Sequence, residues 1–183
     1  MDNKFKKTKT YKNLEKSFSG ESEARLRYGF FASRAKKDGL IHISKVFEET
    51  SNNEKEHAEI WYKLLFDGEI PKTADNLLLA ASNEKYEWSN MYVKFAKEAK
   101  EEGYISISKL FESVAKIEKM HQERYIKLHN ELTKNTTFKS NKEEKWFCSN
   151  CGAIINSKDA PKKCPVCSHD QGYFIKSDTK IID

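Results

Sequence analysis

The 183-residue chain carries 33 basic and 28 acidic side chains, for a net charge of +5 at pH 7. Both signs are interspersed and no basic run alternates with aromatics, which argues against a nucleic-acid partner. No run of 18 apolar residues exists, and the start, MDNKFKKTKTYKNLEK, lacks the apolar stretch of a signal peptide. The expectation is therefore a soluble, cytoplasmic protein with no membrane association, long enough for one real core and a small second module.

After a basic, frayed start, residues 11–38 read as a first helix, with Leu14, Phe18, Leu26 and Phe30 at helical spacing and Gly39 as its stop. A second helix spans 42–66 and ends at Asp67-Gly68. A third begins near Thr73, a plausible N-cap, and runs to Glu102 before Gly103; a fourth occupies 106–132. The short turns at Gly39 and Gly103 make two antiparallel hairpins, and two hairpins make a four-helix bundle. Residues 1–135 are thus expected to form one helical domain. Residues 136–145 are polar and aperiodic, a linker. Residues 146–183, with four Cys, two Pro and clustered aromatics, are too short to fold on apolar burial alone, so a metal must belong to their core.

Glu118 and His121 lie three residues apart on the fourth helix, so both point to one side and can grip one metal. Glu54 and His57 repeat the spacing 64 positions earlier, inside a realignment of GLIHISKVFEETSNNEKEH with GYISISKLFESVAKIEKMH. Two such motifs at matched points of an internal repeat are half the ligand set of a dimetal carboxylate bundle. The other half should be one Glu from each remaining helix. Glu21 precedes Glu54 by 33 positions and Glu84 precedes Glu118 by 34, which brings each level with its motif once the hairpins fold.

Glu87 has no acidic counterpart, since the first helix carries Ala24 three residues after Glu21. It reads either as an exposed acid or as a carboxylate that enters the coordination sphere on oxidation, since an extra carboxylate suits ferric iron and a neutral imidazole ferrous iron. Tyr28 follows Glu21 by seven residues and Tyr92 follows Glu84 by eight. Core packing explains both, as does a phenol hydrogen-bonded to a ligand carboxylate. The one-residue surplus predicts a π-bulge between Glu84 and Tyr92. His42, His129 and His169 read as surface residues.

Cys148-x-x-Cys151 and Cys164-x-x-Cys167, separated by twelve residues, form a four-thiolate metal signature. The pattern fits a structural zinc ribbon or a one-electron iron centre; beside a bundle able to hold redox-active iron, it points to iron.

With GESEARLRY around Glu21, NEKEHA around Glu54, NEKYEWSNMY around Glu84, IEKMH around Glu118 and the two cysteine knuckles, the chain resembles the rubrerythrins. The resemblance implies a mainly α fold: a ferritin-like four-helix bundle, followed by a small rubredoxin-like β domain. It implies two irons held by Glu21, Glu54, His57, Glu84, Glu87, Glu118 and His121, and a third held by Cys148, Cys151, Cys164 and Cys167, with zinc as a substitute. Glu87 would exchange with His57 as one iron changes oxidation state, and Glu87, His57, Tyr28 and Tyr92 are the expected catalytic residues. Where many members have Tyr and Glu, this chain has Trp88 and Asn90, which alters the pocket's polarity. The activity implied is a peroxidase that reduces hydrogen peroxide to water and protects an anaerobe from oxidative stress. Electrons would reach the di-iron site through the four-cysteine site from a separate NAD(P)H-dependent reductase or rubredoxin-type donor, since the chain has no dinucleotide-binding glycine motif. The alternative is a ferroxidase that handles iron as ferritins do.

Chain geometry adds an expectation about assembly. In an unswapped bundle the second and third helices run parallel, so their connection must climb a helix length, roughly 38 Å for about 25 residues. Residues 68–72 reach at most about 17 Å. A domain-swapped homodimer follows, in which each di-iron site takes Glu21, Glu54 and His57 from one chain and Glu84, Glu87, Glu118 and His121 from the other.

Overall fold

The computed structural model describes residues 3–176. The last seven residues expected in the C-terminal domain, 177–183, lie outside the described residues. Backbone contacts divide the chain into two compact units, Met1–Lys72 and Thr73–Asp183.

The first unit is a hairpin of α1 (Lys9–Lys37) and α2 (Ile41–Leu65). From Phe5 onward its start is folded, not frayed. Phe5–Lys7 forms a 3-10 turn, Phe5 sets its ring edge against Tyr11, and the Tyr11 N–H donates to Thr8 Oγ1 at 3.1 Å, capping α1. The helix stops at Gly39, whose φ of +76° suits glycine. The Gly39 and Leu40 amides then bond back to Lys36 O and Ala35 O, the paired bonds of a Schellman turn. Only small residues are fully buried between the helices: Ala32, Ala35, Ser44 and Ala58. They permit close approach, and Ser44 Oγ uses it to donate to Ala32 O at 2.9 Å. Tyr28, Phe31 and Phe47 cluster beside them.

The second unit begins with an equivalent hairpin. Its first arm is α3 (Thr73–Tyr86), a π-helical turn (Glu87–Met91) and α4 (Tyr92–Glu101); its second is α5 (Ile105–Thr133). Thr73 is the first helical residue and not a flanking cap. The offset of 64 persists at atomic detail. Gly103 repeats the turn of Gly39, Ser108 Oγ donates to Ala96 O at 2.7 Å, and Tyr92, Phe95 and Phe111 repeat the aromatic cluster. Before the π turn the offset is 63, because Glu84 matches Glu21; the π turn absorbs the extra residue. The Tyr92 N–H bonds Glu87 O, five residues back, and Ser89 Oγ donates to Lys85 O at 2.6 Å. The surplus between Glu84 and Tyr92 thus appears as the expected bulge.

Large apolar residues of both hairpins remain at the surface of the single chain. Leu26 and Phe30, which periodicity assigns to a core face, are 61% and 69% exposed. Ile41, Ile43 and Val46 stand exposed, as do their repeat equivalents Ile105, Ile107 and Leu110. A two-helix layer covers only the stripe between its helices, and the remaining apolar faces need a further layer.

The C-terminal module is a three-stranded antiparallel sheet in the order β2-β1-β3, from β1 (Glu144–Cys148), β2 (Ile154–Ser157) and β3 (Phe174–Lys176). Trp146, Cys148, Ala160, Cys164 and Phe174 form its core. The Trp146 indole N–H is satisfied by Ser157 O at 3.1 Å. The segment expected as a linker takes part: Phe138 packs against this core, and its carbonyl accepts from the Ala160 N–H at 2.9 Å. Lys176 of β3 reaches Glu131 of α5 at 3.7 Å and lies over the Trp146 ring.

The buried serines give a test of the repeat. Ser44→Ala and Ser108→Ala should each lower unfolding free energy by about 1 kcal/mol, and the two effects should add in the double variant, as urea titration of all three proteins would reveal.

Candidate metal centres

Helix spacing places Glu54 and His57 on one side of α2, and the hairpin brings Glu21 of α1 to them. One ligand atom from each of the three lies within 4.8 Å of the others. Glu54 Oε2 accepts from or faces His57 Nδ1 at 2.8 Å, which orients the imidazole before any cation arrives. In the second hairpin Glu84, Glu118 and His121 form the matching group, with Glu118 Oε2 2.7 Å and Glu84 Oε1 3.9 Å from His121 Nδ1. The acids are largely shielded, Glu54 and Glu118 to 16% and 15% side-chain exposure, whereas His57 remains 52% exposed.

Burial pushes the Glu84 carboxyl above the usual glutamate range, and its hydrogen bond to Glu118 and that residue's charge push the same way. Carboxylates this close repel one another in the absence of a cation. A divalent metal relieves that repulsion, and carboxylate oxygens with imidazole nitrogen suit iron. Glu87 stands outside the close group, although its charge bears on both Glu84 and Tyr92. Tyr92 lies among these acids: burial raises its phenol, followed by the charges of Glu87, Glu118 and Glu84, so it stays a protonated donor. Tyr28, at the matching point of the first hairpin, stacks on Phe47.

The four cysteines converge in the C-terminal module. Cys148 Sγ and Cys167 Sγ are 3.8 Å apart, and Cys151 Sγ and Cys164 Sγ 3.7 Å. These separations are far too long for disulfides and match the edge of a tetrahedron with metal–sulfur bonds of about 2.3 Å, which is about 3.8 Å. The His169 backbone N–H is the chief cause that lowers Cys167 to about 6. The Ala153 N–H lowers Cys151, but the other three thiols and burial outweigh it and push Cys151 up to about 12. Neighbouring thiolates cannot all ionise without a cation between them. A tetrahedral thiophilic metal satisfies all four.

His42 is exposed, as expected, but His169 is not a plain surface residue. Its ring packs edge-on against Tyr173 and its Nδ1 lies 3.2 Å from Cys167 O, bracing the second knuckle. His129 is half-buried. Two contacts near the carboxylates escape sequence reasoning. Ser51 Oγ donates to Arg25 O at 2.8 Å across the first hairpin, and the Trp88 indole donates to Gln122 Oε1 at 2.7 Å across the second. Only the departure of Trp88 from the common pattern marked that neighbourhood.

A family model described as rubrerythrin matches residues 12–129 and again 75–150, and one described as the rubredoxin-like domain of rubrerythrin matches 146–175. The chain belongs to the rubrerythrin family. It is 43% identical to the rubrerythrin of Porphyromonas gingivalis, with 95% of this chain and 92% of that protein aligned. It is 40% identical to rubrerythrin-1 of Clostridium acetobutylicum (92% and 94%) and 37% identical to the rubrerythrin of Nitratidesulfovibrio vulgaris (92% and 94%). A solved structure of fully reduced, all-ferrous nigerythrin aligns at 28% identity over 92% of this chain and 87% of that one, with a TM-score of 0.36. The fold class is that of the family: mainly α, with the helices of a ferritin-like bundle followed by a rubredoxin-like module. Among the described residues no helix is long and apolar enough to cross a membrane. The rubrerythrin assignment and the ligand chemistry agree on iron as the fitting metal.

The raised Glu84 carboxyl sets a pH dependence in the metal-free protein. Folding favours its protonated form, so its stabilising contribution is complete below the unfolded value of about 4.3 and is lost as pH rises through the higher folded value. Urea midpoints of the metal-free chain should fall over that window relative to those of Glu84→Gln, which lacks the titrating group; parallel pH profiles would contradict the assignment.

Proposed function

We propose that the chain is a non-haem di-iron peroxidase that reduces hydrogen peroxide to water, protecting the cytoplasm of an oxygen-sensitive cell. The reading rests on one observation: two Glu-Glu-His groups occupy equivalent points of a repeat in a chain that also gathers four thiols at tetrahedral spacing. Glu21, Glu54, His57, Glu84, Glu87, Glu118 and His121 would hold two irons in the domain of residues 1–135. Cys148, Cys151, Cys164 and Cys167 would hold a third in residues 146–183, beyond the connection 136–145. When bound, the iron pair supplies two electrons together, and the thiolate iron replaces them singly from an external reductase or rubredoxin-type donor.

The chain's own groups handle the protons. Reduction of one peroxide to two waters consumes two electrons and two protons. Tyr92, kept protonated among acids, can donate a hydrogen bond to an oxygen beside Glu84 and Glu118. Glu54 and Glu118 fix the imidazoles of His57 and His121 through the 2.8 Å and 2.7 Å contacts. Glu87, outside the close group yet within its electrostatic reach, is free to approach when a more oxidised metal demands a further carboxylate. Tyr28, at the matching point of the first hairpin, would play the same part there.

The assembly we propose is a homodimer with exchanged hairpins. Phe66–Lys72 joins α2 to α3, and seven residues reach at most about 24 Å against roughly 38 Å for the 25-residue α2. The exposed apolar positions common to both hairpins supply the surface for pairing.

Anaerobically reduced, iron-loaded protein should be oxidised by hydrogen peroxide much faster than by oxygen, and Glu87→Gln should slow the peroxide reaction by at least about tenfold; stopped-flow absorbance reads both, and a slow or absent peroxide reaction rules out the activity. An elution volume typical of a large cage would instead favour iron storage.

Complementation tests the exchange. Glu54→Ala and Glu118→Ala chains should each be inactive alone, but a mixed dimer would contain one intact site and one doubly damaged site, recovering roughly half the parent activity. No recovery in purified mixed dimers defeats the swapped arrangement.

A further inference from the structure

The two hairpins tether their arms differently at the level of the carboxylates. In the first, Ser51 of α2 bonds the backbone carbonyl of Arg25 on α1. A backbone tether of this kind suits a regular helix, whose carbonyls keep a fixed register. In the second, the residue 64 positions after Ser51 is Ala115, which has no hydroxyl, and the residue 63 positions after Arg25 is Trp88. The inserted residue of the π turn would shift a carbonyl register, and here a side chain makes the link instead. The Trp88 indole N–H donates to Gln122 Oε1 at 2.7 Å, and the Lys119 ammonium lies 5.5 Å from the centre of the Trp88 ring. The position matching Gln122 in the first hairpin is Ala58.

Every member of this cluster adjoins a group of the carboxylate centre. Trp88 follows Glu87, Lys119 follows Glu118, and Gln122 follows His121. A π turn is an uncommon local state that needs partners to hold it, and the indole is clasped from the helix that supplies two of the centre's ligands. We propose that Trp88 and Gln122 form a positioning clasp that fixes the π turn against α5 and so sets where Glu87 stands relative to Glu84, Glu118 and His121. Neither residue is among the proposed ligands; each acts by holding the π turn, with Glu87, against the stretch of α5 that carries Glu118 and His121. The inference rests on the reading that the carboxylate group binds metal, though not on the peroxidase activity.

The test is a Co²⁺ titration of the metal-free, full-length chain, monitoring ligand-field absorption of the carboxylate-histidine centre. Thiolate charge-transfer bands from the cysteine site serve as an internal reference in the same sample. Gln122→Met keeps the size and removes the acceptor, Trp88→Phe removes the donor, and Gln122→Glu retains an acceptor. The first two should weaken Co²⁺ binding at the carboxylate centre about tenfold and alter the ligand-field intensity, while Gln122→Glu stays within about twofold of the parent. Parent-like binding in Gln122→Met and Trp88→Phe overturns the clasp, as does a Gln122→Glu variant as weak as Gln122→Met. If both acceptor-free and donor-free variants fail to fold by circular dichroism, the contact is structural and the positioning role is overturned too. A parent that binds Co²⁺ as expected but ignores peroxide leaves the clasp standing and removes only the activity.

Discussion

Crowded like groups are the constraint on which this chain depends. Each hairpin converges two carboxylates and an imidazole within 4.8 Å, and the C-terminal module gathers four sulfurs within the same distance of one another. Without cations such crowding carries a cost, which shows in the raised carboxyl of Glu84 and the raised thiol of Cys151. With a cation bound, the same groups would instead stabilise the fold. The surrounding elements follow from that need: straight helices long enough to carry a three-residue motif, small residues that let them approach, and a sheet that fixes the cysteine knuckles.

The repeat shows how an ordinary hairpin becomes a specialised one. Both copies keep the glycine turn, the buried serine bond and the aromatic cluster, so the scaffold is the same to within the details of single hydrogen bonds. One inserted residue is the main difference between their first arms. It converts a stretch of regular helix to a π turn, whose first position, Glu87, stands where the first hairpin has Ala24. The first hairpin keeps Glu21, Glu54 and His57 alone, and the second adds Glu87 beside its matching group. In the proposed di-iron centre that asymmetry would give the two metals unequal ligand fields.

The apolar surface links the metal chemistry to assembly. Between their helices the hairpins bury only Ala and Ser fully, while Phe30, Val46, Leu110 and similar residues lie open in the single chain. Half a ligand set and an uncovered apolar face occur together on each hairpin, so covering the face and completing the centre are one event in the proposed dimer. The C-terminal module is anchored otherwise, through Phe138 in its core and the Lys176–Glu131 contact to α5.

The sequence by itself determined what local periodicity encodes. Helix limits read from periodicity and turn residues fell within two residues of the observed ones, Glu54-His57 and Glu118-His121 declared themselves by three-residue spacing, and the extra residue before Tyr92 announced the π turn. The cysteine spacing alone marked a tetrahedral site. Tertiary structure decided whatever depends on register between separate segments. That Glu84 presses on Glu118, that Trp88 meets Gln122 34 positions away, and that Phe138 leaves an aperiodic stretch to enter the C-terminal core follow from how the arms align across a turn. The exposure of Leu26 and Phe30 was hidden for the same reason: periodicity identifies an apolar face, but only the packed hairpin shows which face its neighbour covers.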